Sequence, residues 1–132
     1  MIEKYKSECY NIYIEDVDKY RFEEGFRMDG KATIKYLQYY IKQKDYNPKS
    51  LKDYFLKLSE EVGGLSRAMR KGLKAVNNED IKGTIDEEVW DVIYYAIAIA
   101  NLYDIDLEQV IKIKSDMNQS RYPSAVVFEE NR

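Results

Sequence analysis

The chain has 132 residues, 34% of them charged, with a formal net charge of −3. This length allows one hydrophobic core without disulfides, and the near-balanced charge argues against nucleic acid as the main partner. The sequence has no histidine and one cysteine, which excludes an internal disulfide, Ser-His-Asp or Cys-His catalysis and the usual zinc sites. Any chemistry must therefore use carboxylates, a metal, lysines or arginines.

The beginning of the chain, Met-Ile-Glu-Lys-Tyr-Lys, lacks the apolar stretch of a secretory signal. Together with the single cysteine, Cys9, this favours a reducing compartment, and we expect a cytoplasmic protein. The most apolar segment, residues 89–100, is interrupted by Asp91 and is shorter than the ~20 residues that a membrane span needs. We therefore expect no membrane association.

The first 28 residues have the least regular pattern and are interpreted as an N-terminal extension. Residues 11–17 alternate in part like a strand, while the surrounding Glu and Lys content suits a helix equally well, and we favour a helix. Residues 29–123 are predicted to form one helical domain. Beyond Pro123, residues 124–132 are expected to be an irregular tail or a docking arm.

The helical domain is predicted to contain four helices. Asp29 is expected to cap the first, Asn47 followed by Pro48 marks the start of the second, and Gly72 its end. Apolar side chains recur in steps of three and four and predict core-facing stripes: Ile34, Leu37 and Ile41 in the first helix, and Leu51, Phe55, Leu58, Val62, Leu65 and Met69 in the second.

The third helix is the most apolar element of the chain. Thr84, with Glu87 three residues later, predicts a capping box at its start, and the helix is expected to end near Tyr103. Its apolar character places it at the centre of an antiparallel bundle. Asp106 with Gln109 predicts a similar cap for the fourth helix. The apolar side chains of that helix are Leu107, Val110, Ile111 and Met117.

Acidic residues are concentrated on the second helix and at the start of the third. Glu60 and Glu61 form the first group, and Glu88 and Asp91, three residues apart and so on one helical face, belong to the second. Carboxylates beside a buried helix are costly to desolvate, so a cation or partner side chains usually neutralise them. We interpret Glu61, Glu88 and Asp91 as ligands of one or two hard divalent ions.

Simpler interpretations of the same residues stay open. A Glu-Glu pair on a helix is usually a solvated face, and Glu88 could simply favour the positive end of its helix. Asp91 could be buried in an ion pair with Arg67 or Lys114.

Taken in order, these residues resemble the MazG-like all-α nucleoside triphosphate pyrophosphohydrolases, whose motif is EExxE followed by ExxD. Residues 60–64 match the first half except that Gly64 stands in place of the third glutamate, and residues 88–91 match the second. The resemblance extends over about residues 36–122. It implies an all-α, antiparallel four-helix bundle that assembles as a homodimer or homotetramer.

The resemblance also implies Mg²⁺-dependent cleavage of a nucleoside triphosphate to a monophosphate and pyrophosphate in house-cleaning of nucleotide pools, with Mn²⁺ as a substitute ion. Glu61, Glu88 and Asp91 would hold the metal directly or through water. Glu60 and Glu61 would be the catalytic residues, with Glu60 orienting or deprotonating the attacking water. Four side chains are candidates for substrate binding, and the last three share one face of the fourth helix: Lys57, Lys114, Asn118 and Arg121.

Gly64 leaves two outcomes open, because one carboxylate fewer weakens metal binding. The chain is either an active enzyme, with Glu60, Asp86 or Glu87 compensating, or a catalytically impaired nucleotide-binding or regulatory member of the same fold. A plain helical oligomerisation module would leave the acidic residues unexplained. A gain in rate for Gly64→Glu would indicate a missing ligand, whereas no gain would give the glycine a role of its own.

Overall fold

The computed structural model describes residues 32–77 and 79–128, which form four α-helices and no strand. The helices are α1 (Ile34–Lys44), α2 (Leu51–Lys71), α3 (Ile85–Leu102) and α4 (Leu107–Arg121), and a 3-10 turn (Pro48–Ser50) leads into α2. The predicted all-α four-helix architecture is confirmed. The N-terminal extension and its interpretation as helical lie outside the described residues.

The first two helices begin and end at local capping interactions. Asp29 lies outside the described residues, and the cap of α1 is Thr33, whose hydroxyl accepts a hydrogen bond from the Tyr36 N–H at 3.1 Å. Asn47 caps the turn before α2 by accepting from the Lys49 N–H at 3.3 Å. Gly72 ends α2 with a φ of +64°, a left-handed conformation that glycine adopts without strain. The predicted end of the second helix is therefore confirmed, whereas its start is later than predicted, because the residues that Asn47 caps form the 3-10 turn and α2 begins at Leu51.

The predicted capping box at α3 is also present. The Thr84 hydroxyl accepts from the Glu87 N–H at 3.5 Å, and the Glu87 carboxylate reaches back to the Gly83 N–H at 2.8 Å. At α4, the Asp106 carboxylate accepts from the N–H groups of both Glu108 and Gln109. Because Thr84 fixes the first residue of α3, Glu88 and Asp91 lie in the first two turns of that helix.

The core lies around α3, which packs against both α1 and α2, while α4 packs against α1. Its buried side chains come from α1, α2 and α3: Ile41, Tyr54, Ile97 and Ala98. The prediction that the third helix is the central element is confirmed. Within the described residues, no helix is both long enough and apolar enough to cross a membrane.

The predicted core-facing stripe of α2 holds only for Leu58 and Leu65, which are partly buried. Phe55 and Met69 are 64% and 62% exposed, and Leu51 and Val62 are exposed as well. The covered face is instead centred on Tyr54, Glu61 and Ala68, which recur every seven residues and so lie on nearly the same side of the helix. Apolar periodicity identified a stripe, but α3 packs against the neighbouring face of α2.

The apolar side chains of α4 are also largely uncovered. Val110, Ile111 and Met117 are exposed, and only Leu107 packs against the core. Exposed stripes of this kind are suited to contacts between protein chains. The homodimer or homotetramer expected from the sequence stays a prediction.

A buried amide joins three helices. The side-chain amide of Asn101 in α3 donates to the backbone carbonyl of Gln38 in α1 at 2.9 Å and accepts from the Gln38 side chain at 3.2 Å. The Gln38 side-chain oxygen in turn accepts from the N–H of Leu107, the first residue of α4, at 3.0 Å. These hydrogen bonds fix the register of α1 against α3 and the start of α4.

A second polar group fixes the C-terminal end of α1. The Tyr54 hydroxyl of α2 donates to one oxygen of Asp45 at 2.6 Å, and the Tyr94 hydroxyl of α3 donates to the other at 3.3 Å. The Asn47 N–H donates to the Tyr54 oxygen at 3.0 Å. Burial and the Asp45 carboxylate raise the pKa of Tyr54 and bring that of Tyr94 to about 12, so both hydroxyls stay protonated as donors.

Tyr54→Phe is expected to lower the free energy of unfolding by about 1–3 kcal/mol, because it leaves the Asp45 carboxylate and the Asn47 N–H short of a partner. Urea denaturation measures the change. The matched control is Tyr103→Phe, whose side chain is 61% exposed and which should be neutral. Equal stabilities for the two variants would contradict a role of the Tyr54 hydroxyl in the fold.

Candidate metal centre

Three carboxylates converge where α2 crosses the start of α3. One oxygen from each of Glu61, Glu88 and Asp91 lies within 4.8 Å of the others. Glu61 shares the covered face of α2 with Tyr54, seven residues earlier, and Glu88 and Asp91 follow each other by three residues in α3. The structure thus brings together the three residues that the sequence analysis selected as metal ligands. Their role as ligands stays a prediction.

The carboxylates of this triad are partly withdrawn from water and lie close to one another. Glu88 is only 8% exposed, and its Oε2 atom is buried without a hydrogen-bond partner among the described residues. Burial raises the pKa of Glu61, and the charge of Asp91 and a side-chain hydrogen bond with Glu88 raise it further. Burial, Glu87 and Glu88 also raise the pKa of Asp91, opposed in part by Lys82. Each ionised carboxylate makes its neighbours harder to ionise.

The basic residues considered as partners for Asp91 do not neutralise it. Across residues 32–77 and 79–128, neither Arg67 nor Lys114 forms an ion pair with any carboxylate of the triad. The ion pair proposed as a simpler explanation of Asp91 is therefore absent from the described part of the chain. A buried acidic group of this kind requires either protons or a cation.

The other acidic residues near the start of α3 hold the loop that precedes it. Asp86 is bonded to the Lys74 ammonium and accepts from the Ala75 N–H at 2.8 Å, and these contacts lower its pKa. Glu87 caps the helix and lies 3.8 Å from the Lys82 ammonium. Both carboxylates already have partners, which disfavours the suggestion that they replace a missing ligand.

The chemistry of the triad fits a hard divalent cation. Oxygens bound to one Mg²⁺ at ~2.1 Å lie about 3.0 Å apart when adjacent and about 4.2 Å apart when opposite, so oxygens that now lie within 4.8 Å of one another would move closer together to share an ion. All three donors are oxygens, as Mg²⁺ and Mn²⁺ prefer. A cation would also provide the partner that Glu88 Oε2 lacks.

Glu60 and Lys57 lie beside the triad but outside it. Their side chains are 68% and 54% exposed and form an ion pair at 3.4 Å, which raises the pKa of Lys57. Glu60 thus points a carboxylate into solvent one residue before Glu61. Its predicted action on water and the predicted contact of Lys57 with substrate stay predictions.

The predicted phosphate-binding row of α4 is not joined to the triad. Lys114, Asn118 and Arg121 are exposed, and the Arg121 guanidinium lies 5.8 Å from the Tyr122 ring. In the part of the chain that the structure describes, none of the three forms a hydrogen bond or an ion pair with a triad carboxylate. Their roles in substrate binding also stay predictions.

The sequence analysis missed one neighbour of the triad, Tyr95, and did not foresee what a second one, Gly64, contacts. Tyr95 follows Asp91 by four residues on the same side of α3, and burial raises its pKa while Lys57 lowers it. Gly64 lies against the Glu88 carboxylate. The spacing of Tyr95 from Asp91 was a usable signal. Two adjacent glycines in a helix are costly without a reason, which indicated a role for the pair but not the contact with Glu88.

Comparisons with known proteins identify the family of the chain. The family profile of the MazG nucleotide pyrophosphohydrolase domain matches residues 49–126, which include both α2 and α3. A crystal structure of iMazG from Vibrio DAT 722, in its N-tagged form, is 38% identical to the chain, covering 70% of this chain and 100% of that one with a TM-score of 0.65. A C-tagged form is 39% identical over 67% of this chain and 99% of that one, with a TM-score of 0.64.

Among curated proteins, none matches the chain significantly. The family match covers more than half of the chain and contains both halves of the acidic motif, residues 60–64 and 88–91. The chain therefore belongs to the MazG nucleotide pyrophosphohydrolase domain family.

Proposed function

We propose that this protein is a Mg²⁺-dependent pyrophosphohydrolase that cleaves nucleoside or deoxynucleoside triphosphates to monophosphates and pyrophosphate. Its role would be house-cleaning of nucleotide pools, and Mn²⁺ would substitute for Mg²⁺. The observation that carries the proposal is the convergence of Glu61, Glu88 and Asp91 around a buried oxygen that has no described partner. Membership of the family supports the reaction class.

The triad would hold the divalent ion through its carboxylate oxygens, directly or through water. When bound, such an ion supplies charge neutralisation for the phosphate oxygens and makes a nearby water more acidic. The raised pKa values of Glu61 and Asp91 indicate that these two carboxyl groups resist ionisation without a cation and would favour the release of protons when one binds. Metal binding should therefore strengthen as pH rises through these pKa values.

Substrate charge requires basic groups in addition to the triad. In the proposed complex, Lys114 and Arg121 of α4 neutralise phosphate oxygens, Asn118 hydrogen-bonds phosphate or sugar, and Lys57 adds a further positive charge. Glu60 orients the attacking water or accepts its proton, which its exposed carboxylate permits. A homodimer or homotetramer would cover the exposed apolar side chains of α2 and α4.

Asp91→Asn and Glu88→Gln are each expected to lower Mg²⁺-dependent pyrophosphate release by at least about 100-fold, the scale of losing one group that stabilises transition-state charge. A panel of nucleoside and deoxynucleoside triphosphates, with Mg²⁺ or with a chelator, provides the measurement. Asp53→Asn is the matched control, because Asp53 is an exposed carboxylate on α2 outside the triad. Full turnover by Asp91→Asn would refute the metal assignment.

Nucleotide binding without pyrophosphate release by the wild-type chain, across the whole panel, would contradict the enzyme and favour the catalytically impaired alternative. In that case the protein would bind nucleotides without hydrolysing them.

Glu60→Gln is expected to lower kcat by about 10²–10⁴-fold while leaving Mn²⁺ affinity unchanged, because Glu60 acts on water and is not a ligand. Steady-state kinetics at saturating Mg²⁺ and a Mn²⁺ titration separate the two effects. An unchanged kcat would reduce Glu60 to a solvated residue paired with Lys57.

Glu61→Gln is expected to raise the free energy of unfolding in the absence of divalent ions at about pH 7. The folded pKa of Glu61 is above its ordinary value, so its ionised form is less favourable in the fold than in the unfolded chain. Protonation removes this penalty as pH falls through the folded pKa, so the difference should shrink near the ordinary glutamate pKa of ~4.3. Urea denaturation in a chelator measures it.

In Mg²⁺ the wild type should become more stable than Glu61→Gln, because the ion stabilises only the protein that binds it. A less stable Glu61→Gln variant in the chelator would indicate that the carboxylate is a structural hydrogen-bond acceptor.

A further inference from the structure

Gly64 is the point where α2 lies closest to the Glu88 carboxylate. A Cβ atom at residue 64 would be 2.6 Å from Glu88 Oε2, 2.8 Å from Cδ and 3.0 Å from Oε1. The two shorter separations are too close for a non-bonded contact, so any residue other than glycine would force the carboxylate to move. The carboxylate therefore packs directly on the bare backbone of α2.

The atom nearest the missing Cβ is also the atom without a partner. Glu88 Oε2 is buried and accepts no hydrogen bond from the described residues. No hydrogen bond therefore accounts for the inward position of this oxygen, in a residue that is only 8% exposed. In this position, a Glu88 oxygen lies within 4.8 Å of oxygens of Glu61 and Asp91.

The adjacent glycine has no such contact. A Cβ at Gly63 would meet nothing within 4 Å, although Gly63 occupies the same helix and carries the same conformational cost. The two glycines of the motif are thus different, and only Gly64 touches the triad. Gly63 provides a control with the same change in helix propensity.

We propose that Gly64 is a positioning residue of the divalent-cation site, because its missing side chain makes the space that Glu88 needs to join Glu61 and Asp91. This inference rests on the proposed function in so far as the triad holds a cation. Glycine in place of the third glutamate of the EExxE motif then removes one potential ligand, but it allows Glu88 to take its position as another. A side chain introduced at residue 64 would compete with Glu88 for the same volume.

The test measures Mn²⁺ affinity of the full chain by titration for wild type, Gly64→Ala and Gly63→Ala, together with thermal unfolding in a chelator. Both substitutions should raise or preserve Tm without metal, because alanine is the better helix former and the Glu88 side chain can rotate away. Gly64→Ala should weaken Mn²⁺ binding by about 10–100-fold, the range for residues that orient metal ligands, and Gly63→Ala should leave it unchanged.

A shorter acid at residue 88 provides the rescue. Glu88→Asp withdraws the carboxylate from α2 by one methylene, so the added methyl of Gly64→Ala should no longer displace it. The double variant should bind Mn²⁺ several-fold more tightly than the product of the two single losses predicts, as for residues in direct contact. Additive losses would contradict the contact between residues 64 and 88.

Gly64→Glu provides the opposite check. The family-like glutamate should bind Mn²⁺ more weakly than wild type, because its Cβ displaces Glu88 before its carboxylate can act as a ligand. Tighter binding or a large gain in hydrolysis would overturn the proposal and show that the site lacks a ligand.

The outcomes also separate this inference from the proposed function. If wild type binds Mn²⁺ and hydrolyses nucleotides while Gly64→Ala matches it in affinity, only the role of Gly64 falls. If wild type binds no divalent ion, the proposed function and the positioning role fall together.

Discussion

Three carboxylates held close together between two packed helices constrain the rest of this molecule. Glu61, Glu88 and Asp91 place oxygens within 4.8 Å of one another, and the most buried of these side chains has an oxygen without a partner among the described residues. Like charges in a partly dehydrated site oppose folding, as the raised pKa values of Glu61 and Asp91 indicate. An interface that stability alone had shaped would have apolar side chains at these positions. The arrangement is therefore most readily explained by a function that requires a cation.

The fold holds this unfavourable group by means of interactions elsewhere. Asn101 and Gln38 fix the C-terminal end of α3 against α1 and α4. The hydroxyls of Tyr54 and Tyr94 hold Asp45 at the C-terminal end of α1. Asp86 and Glu87 are bonded to the loop that leads into α3, so they set the position at which that helix begins. The carboxylates of the triad then follow at fixed spacings from rigid elements, which suits a site that must hold an ion.

Local interactions made much of this structure predictable from the sequence. Gly72, Thr84 and Asp106 mark helix ends because capping depends on residues within a few positions of each other. The convergence of the acidic residues could be anticipated from their spacing in α3 and from the family resemblance. The covered face of α2 could not, since its apolar stripe and its acidic side are neighbours, and only tertiary packing decides which one α3 covers.

The role of Gly64 was beyond prediction for a related reason. The sequence shows a glycine where the family motif has glutamate, and this alone indicates a lost ligand. The structure adds the Glu88 carboxylate 2.6 Å from the position of the missing Cβ, so the same substitution creates space. Because Gly64 acts through the space that its missing side chain leaves, its role could be inferred only once Glu88 was seen to occupy that space.

The central claim is that the triad of Glu61, Glu88 and Asp91 holds a divalent cation. Anomalous diffraction from crystals of the full chain soaked in Mn²⁺ tests this most directly, because it locates the ion independently of any activity. The account predicts an anomalous peak among the three carboxylates, with Glu88 as one of its contacts. A Mn²⁺ ion bound elsewhere, with no peak between these carboxylates, would contradict it.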